Sequence, residues 1–140
     1  MKRVHYFEMF AKLFEYKTVV DQAGNEYVFF ADTPFASVTD VKDKTEFEAL
    51  ETHVHLLDNI TKEEFGKLTS AARSIGAVVL HSLQTHFPQK RFVVYVSLKL
   101  HGSMILRFHQ IWENEEPYYN VSQWNSDTEK VYEFHSDAVQ

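Results

Sequence analysis

The clearest pattern in the chain is a run of apolar residues at spacings of three and four between residues 62 and 86, which predicts a long amphipathic helix. Thr61 directly before it and Glu64 three residues later match the capping-box pattern. Pro88 ends the run, because proline disfavours helical geometry in the residue before it. The single apolar stripe predicts that this helix lies across a sheet, and it comprises Phe65, Leu68, Ala72, Ile75, Val79 and Leu83.

Alternating apolar and polar positions predict β-strands along most of the remaining chain. A weaker helical stripe near the start predicts a second, shorter helix over residues 4–16, and the polar, acidic stretch 32–48 is expected to be a loop. The predicted strands cover residues 17–21, 26–31, 50–57, 91–100, 104–112, 118–124 and 130–135.

The longest predicted hairpin has a register that its loop length decides. A three-residue loop pairs Leu100 with Met104, and two positions further on it pairs Leu98 with Leu106. Apolar side chains then face apolar side chains, whereas a two-residue loop would place them opposite polar ones. We therefore expect the three-residue loop, with Gly102 in the left-handed conformation.

Together these elements predict an α+β domain. We expect an antiparallel sheet of about six or seven strands, with one long helix packed across one face and a shorter N-terminal helix. At 140 residues the chain has the length of one domain. The apolar sheet face is expected to comprise Leu50, Val54, Leu56, Phe92, Val94, Val96, Leu98, Met104, Leu106 and Phe108.

Composition excludes several classes of site. The chain has no cysteine, which rules out disulfides, cysteine-based metal sites and thiol catalysis, and fits a cytoplasmic protein. The N-terminal residues contain no long apolar run, so we expect neither a signal peptide nor a membrane span. The sequence has no phosphate-binding loop, dinucleotide turn or nucleophile motif, and we expect no cofactor.

The net charge of −6 is unevenly distributed along the chain. Residues 1–112 hold 13 basic and 13 acidic side chains, whereas residues 113–140 hold seven acidic ones and one basic one. This local excess would repel nucleic acid and anionic membranes and attract a basic protein. It would also serve solubility alone.

One candidate site centres on the stretch LETHVHLLD, residues 50–58. As a strand it would place Glu51, His53 and His55 on one face, and two histidines at this spacing can chelate a metal. If the strand lies beside the long hairpin, a third ligand would be His109, Glu51 or His135. The same face would then offer an acid–base cluster. Its candidate residues are Glu51, His53, His55, Tyr95, Arg107 and His109.

A polar network on a half-exposed sheet is the simpler interpretation of those residues, and we favour it because such networks are more common than catalytic clusters. A chance pair is also common in a chain with eight histidines. This second sheet face is mixed in polarity, and a homodimer through it is a further expectation. Its apolar members are Val93, Tyr95, Ile105 and Ile111.

The second candidate is the acidic-aromatic segment, which we define as residues 111–124, IWENEEPYYNVSQW. It would be either an acidic turn whose aromatics are core, or an anchor for a basic protein. We expect the anchor, in a non-enzymatic adaptor, inhibitor or immunity-type protein, with a small metal-binding or acid–base enzyme as the alternative. The expected partner-binding residues are Trp112, Glu113, Glu115, Glu116, Tyr118, Tyr119 and Trp124.

Overall fold

In the computed structural model, residues 2–34, 37–121 and 125–136 are described, and within them three helices and six strands follow one another. None of these helices is both long and apolar enough to cross a membrane. The elements are α1 (Lys2–Lys12), β1 (Tyr16–Val20), β2 (Glu26–Phe30), α2 (Lys44–Glu51), β3 (Val54–Leu57), α3 (Lys62–His86), β4 (Phe92–Lys99), β5 (Met104–Gln110) and β6 (Glu129–His135).

The α+β class is confirmed, but the single sheet of six or seven strands is wrong. The strands form a four-stranded antiparallel sheet in the order β3-β5-β4-β6 and a separate hairpin, β1-β2. Side chains bridge these two sheets in place of a strand ladder. The backbone N–H groups of Val28 on β2 and Gln110 on β5 both donate to the carboxylate of Glu48 on α2.

The long helix α3 lies across the four-stranded sheet as predicted, and its N-cap has both bonds of the capping box. Its buried face packs on β4 and β6, where Gly76 meets the ring of Phe134. The sheet residues of the predicted apolar face lie in the core on this side. Leu50 is the exception, because it is on α2 and is 44% exposed.

Residues 44–51 correct two predictions. The predicted loop over residues 32–48 contains the start of α2, whose N-cap is Asp43 accepting a hydrogen bond from the N–H of Glu46. The predicted strand over residues 50–57 begins only at Val54. Because Glu51 is helical, it does not share a strand face with the two histidines.

The β4–β5 hairpin keeps the predicted faces but has a different register. Leu98 pairs with Met104, two residues away from the predicted partner. The Lys99 N–H donates to the Ser103 carbonyl, so the loop has three residues, 100–102, and lies one position earlier than predicted. The loop backbone bonds elsewhere: His101 donates to Ile60, Ile60 donates to Gly102, and Leu100 donates to Thr128. The positive φ of 63° is at His101, not at Gly102.

The predicted N-terminal helix is present but ends at Lys12, before the predicted residue 16. The last predicted hairpin is correct for its second strand, β6. Residues 118–121 do not form its first strand; they cross the second face of the four-stranded sheet. Trp124, an expected partner-binding residue, lies outside the described residues.

Candidate functional site

The second face of the four-stranded sheet is covered by the chain itself. Val93 and Tyr95 of β4 and Val131 of β6 are buried beneath the half-buried side chains of the acidic-aromatic segment, Tyr118, Tyr119 and Val121. The rings of Tyr95 and Tyr119 meet edge to face at 5.0 Å. Tyr118 and Tyr119, which were expected to bind a partner, therefore pack on the sheet of their own chain, and the covering that this face needs comes partly from within the chain.

Arg107 holds this cover in place. Its guanidinium lies 5.0 Å from the ring of Tyr118 and 5.7 Å from that of Tyr119, in cation–π geometry. One terminal nitrogen also donates to the Tyr118 hydroxyl at 3.1 Å. The Arg107 Nε is buried without a hydrogen-bond partner among the described residues. Arg107 thus directs its charge to the aromatic cover.

His109 is buried, and both of its ring nitrogens are engaged. Nδ1 lies 2.7 Å from the Gln110 carbonyl oxygen, which can only accept, so Nδ1 carries the proton. Nε2 then accepts from the Tyr95 hydroxyl at 3.0 Å and from the Tyr118 N–H at 3.3 Å. Burial lowers the pKa of His109, which favours this neutral tautomer.

The other predicted histidines lie elsewhere. His53 and His55 are exposed, and their ring centroids are 5.7 Å apart. His53 bonds to the Leu50 carbonyl and His55 to the Asp58 carboxylate. His55 pairs with Ile105, four residues along β5 from His109, which corresponds to about 13 Å.

His135 lies on β6, and β4 and β5 separate it from His55 on β3. Within the described ranges, no group of three histidine or carboxylate side chains is arranged to hold a metal ion. The structure therefore brings together Tyr95, Arg107 and His109 of the predicted cluster, but not Glu51, His53 and His55.

Glu48, which the sequence analysis missed, connects the candidate region to the core. Its carboxylate is fully buried and accepts four hydrogen bonds: from the N–H groups of Val28 and Gln110, from the Gln110 side-chain amide, and from the Trp112 indole at 2.7 Å. Burial raises the pKa of Glu48 to about 7, and the four donors limit that rise.

Two residues of the acidic-aromatic segment are held on α2. Glu115 accepts from the N–H of Lys44 and from the N–H and hydroxyl of Thr45, so it binds the first turn of the helix. These bonds and the 3.2 Å ion pair with Lys44 outweigh the effect of burial and lower the pKa of Glu115 to about 2. Lys44 also lies over the Trp112 ring at 5.5 Å.

A small pocket opens beside these residues, with a cavity volume of about 200 Å³. The exposed surface of its walls is mostly apolar. Its lining comprises Thr45, Val93, His109, Ile111, Trp112, Glu115, Glu116, Pro117 and His135.

Two exposed carboxylates of the segment, Glu113 and Glu116, have no hydrogen-bond or ion-pair partner within the described parts of the chain. Glu116 lines the pocket. The pocket therefore combines an apolar interior with unneutralised negative charge.

Trp112, Glu115 and Glu116 of this region were predicted from the sequence, whereas Thr45 and Pro117 were not. A signal for Thr45 was present: Asp43 followed three residues later by Glu46 is an N-terminal helix pattern, and it would have placed Thr45 in a first helical turn. No local pattern indicates that Glu115 binds that turn.

Comparison of the chain with protein-family models, with curated proteins and with solved structures found no match in any of the three. We therefore infer function from the geometry of the described residues.

Proposed function

We propose that this chain is a non-enzymatic protein-binding domain that engages a basic partner through the pocket beside Trp112. The observation that carries the proposal is the combination of an apolar cavity of about 200 Å³ with the exposed carboxylates Glu113 and Glu116. We expect the protein to act in the cytoplasm as an adaptor, inhibitor or immunity-type protein.

The size of the pocket suits a single side chain. An apolar cavity of roughly 150 Å³ is large enough to bind benzene, so this one can admit an aromatic or aliphatic side chain from a partner. Small-molecule sites are usually larger, at about 300–1,000 Å³. A buried apolar anchor surrounded by charged residues is typical of protein–protein contacts.

The charge near the pocket favours a basic partner. Three carboxylates occur within residues 113–116, and among the residues that the structure describes only Glu115 has a partner. The other two can interact with lysine or arginine next to the inserted side chain. Such charges mainly raise the association rate and the specificity, and the inserted side chain supplies most of the affinity.

The state of His109 supports binding over the alternative, acid–base catalysis. A general base needs a nitrogen that can reach a substrate proton, and both nitrogens of His109 are bonded within the protein. Arg107, the candidate for holding an anion, directs its guanidinium at two tyrosine rings.

The proposal can be tested by selecting random peptides displayed on phage against the immobilised protein. We expect enrichment of peptides in which one large apolar residue is flanked by lysine or arginine. Replacing both Glu113 and Glu116 by lysine should abolish this enrichment. Glu115 is kept, because its replacement would release α2 and confuse binding with folding.

A control variant carries the same change in net charge away from the pocket, with Glu15 and Asp127 replaced by lysine; both side chains are exposed. It should select the same peptides as the wild type. If the wild type selects no such peptides, or if the Glu113/Glu116 and control variants behave alike, the pocket is not a site for a basic partner.

A further inference from the structure

Helix α1 has an apolar face that the described chain does not cover. Val4, Tyr6, Phe7 and Phe10 are 58%, 50%, 75% and 48% exposed. At about 100° per residue, these four positions fall on one side of the helix. Met9, on the other side, is half-buried, and Leu13 just after the helix is buried in the core. The helix is therefore attached at its C-terminal end and presents an aromatic face to solvent.

The charge of α1 is opposite to that of the acidic-aromatic segment. Residues 2–12 contain Lys2, Arg3 and Lys12 against one acid, Glu8, which gives a net charge of +2 with His5 neutral. Lys12 is partly neutralised by Asp32 at 3.6 Å. Residues 111–121 contain three acids and no base. An exposed basic, aromatic helix and an acidic, apolar pocket thus occur in the same chain.

We propose that α1 of one copy docks on the pocket of a second copy, so that the chain associates with itself. This inference rests on the proposed function, because it identifies a second copy of the chain as one basic partner of the same pocket. Phe7 is the most exposed of the large apolar side chains described, and Phe10 lies one turn further along the same face. The pocket has room for one of their rings.

The fit extends beyond the inserted ring. A helix of 11 residues is about 16 Å long, so it reaches past a pocket of this size and places its basic residues beside the pocket rim. Glu116 lines the pocket, and the exposed Glu113 directly follows the lining residue Trp112 in the chain. Ile111, which is 39% exposed and lines the pocket, offers further apolar surface. Opposite charges on the two surfaces favour this pairing over α1 against α1, in which two basic helices would meet.

The association is measured by analytical ultracentrifugation of the full chain over a range of concentrations. We expect a concentration-dependent dimer or larger assembly that weakens as salt is added, because exposed charges are screened. Replacing Phe7 and Phe10 by serine should raise the dissociation constant by about tenfold or more, since two aromatic side chains lose their burial. The control variant replaces Val78, a 50% exposed apolar residue on α3, by serine. Its dissociation constant should equal that of the wild type.

Charge reversal tests the pairing itself. One variant has Glu113 and Glu116 changed to lysine, and the other has Arg3 and Lys12 changed to glutamate. Each alone should be monomeric, because α1 and the pocket then carry like charges. A mixture of the two variants should associate, because each α1 then meets a pocket of opposite charge.

Several results would overturn the inference. A wild type that stays monomeric at all concentrations would do so, as would association that survives reversal of Glu113 and Glu116. If the monomer binds phosphatidylserine vesicles, and replacing Phe7 and Phe10 by serine abolishes that binding, α1 is instead a membrane-binding surface. If the wild type selects the expected peptides but does not self-associate, this inference alone is refuted. If the wild type does not select such peptides, the proposed function is refuted.

Discussion

Replacing Glu48 by glutamine removes a buried titrating group while keeping its shape. In the wild type the carboxylate accepts hydrogen bonds from Val28, Gln110 and Trp112, and so connects β2, β5 and the acidic-aromatic segment. The glutamine variant keeps an acceptor oxygen but has a donor in place of the second one. The lost acceptor changes the free energy of unfolding by an amount that does not depend on pH.

The titration of Glu48 predicts the sign and size of the pH effect. Burial raises its pKa in the folded protein to about 7, from the ordinary 4.5. Between these two values the folded state holds a proton that the unfolded state has released. The contribution of Glu48 to the free energy of unfolding is therefore greatest below pH 4.5 and decreases as the pH rises to 7. The decrease is about 3 kcal/mol, and it levels off above that pH.

The assay is urea unfolding of both proteins, followed by circular dichroism, at a series of pH values from 4.5 to 8. All other titrating groups are shared, so the difference between wild type and variant isolates Glu48. We expect the stability advantage of the wild type to shrink by about 3 kcal/mol across the window. An advantage that grows with pH would refute the reasoning, because it would mean that the four donors lower the pKa of Glu48 more than burial raises it.

Two further predictions concern the packing of α3 on the sheet and the hydrogen bonds of Glu115 to α2. Gly76→Ala should lower the free energy of unfolding by about 1–3 kcal/mol, because the added methyl would overlap the Phe134 ring. Gly66→Ala should raise it by about 0.5–1 kcal/mol, because a methyl group there would meet nothing within 4 Å and alanine favours the helix. Thermal unfolding of both variants checks the two signs. Glu115→Gln should cost about 2 kcal/mol at pH 7. Because the folded pKa of Glu115 is lowered to about 2, this cost should be full above pH 4.5 and should disappear as the pH falls toward 2.

Elements with strong local signals were predictable from the sequence. The capping residues Thr61 and Glu64, the apolar stripe and Pro88 together define α3, and its bounds are those predicted. The faces of β4 and β5 were also predictable, because alternation has a period of two and a register shift of two residues leaves every side chain on the same side.

The register itself depends on tertiary contacts that no local pattern reveals. The backbone of the β4–β5 loop bonds to Ile60 and Thr128, and these bonds favour a loop one position earlier in the chain than the one expected. Helix α2 was missed for a related reason. Its buried face contains Thr45 and Glu48, polar residues whose partners are distant in the chain, so it shows no apolar stripe.

The candidate site was only partly predictable. The uneven charge indicated the position of the acidic-aromatic segment. It did not indicate which of its residues pack within the chain and which stay exposed. Trp112 and Glu115 are bonded to α2 residues about 65–70 positions earlier in the chain, and Tyr118 and Tyr119 cover the sheet. This leaves Glu113 and Glu116 as the exposed acids, and which acids stay exposed depends on that packing.

A pocket for a basic partner can be tested by an NMR titration of the ¹⁵N-labelled protein with the acetylated, amidated tripeptide Lys-Phe-Lys, compared with Glu-Phe-Glu. We expect saturable shifts of the Ile111 amide and the Trp112 indole with the lysine peptide only. The variant with lysine at positions 113 and 116 should show none. Equal shifts with both peptides, or lysine-peptide shifts confined to other regions, would contradict a pocket for a basic partner.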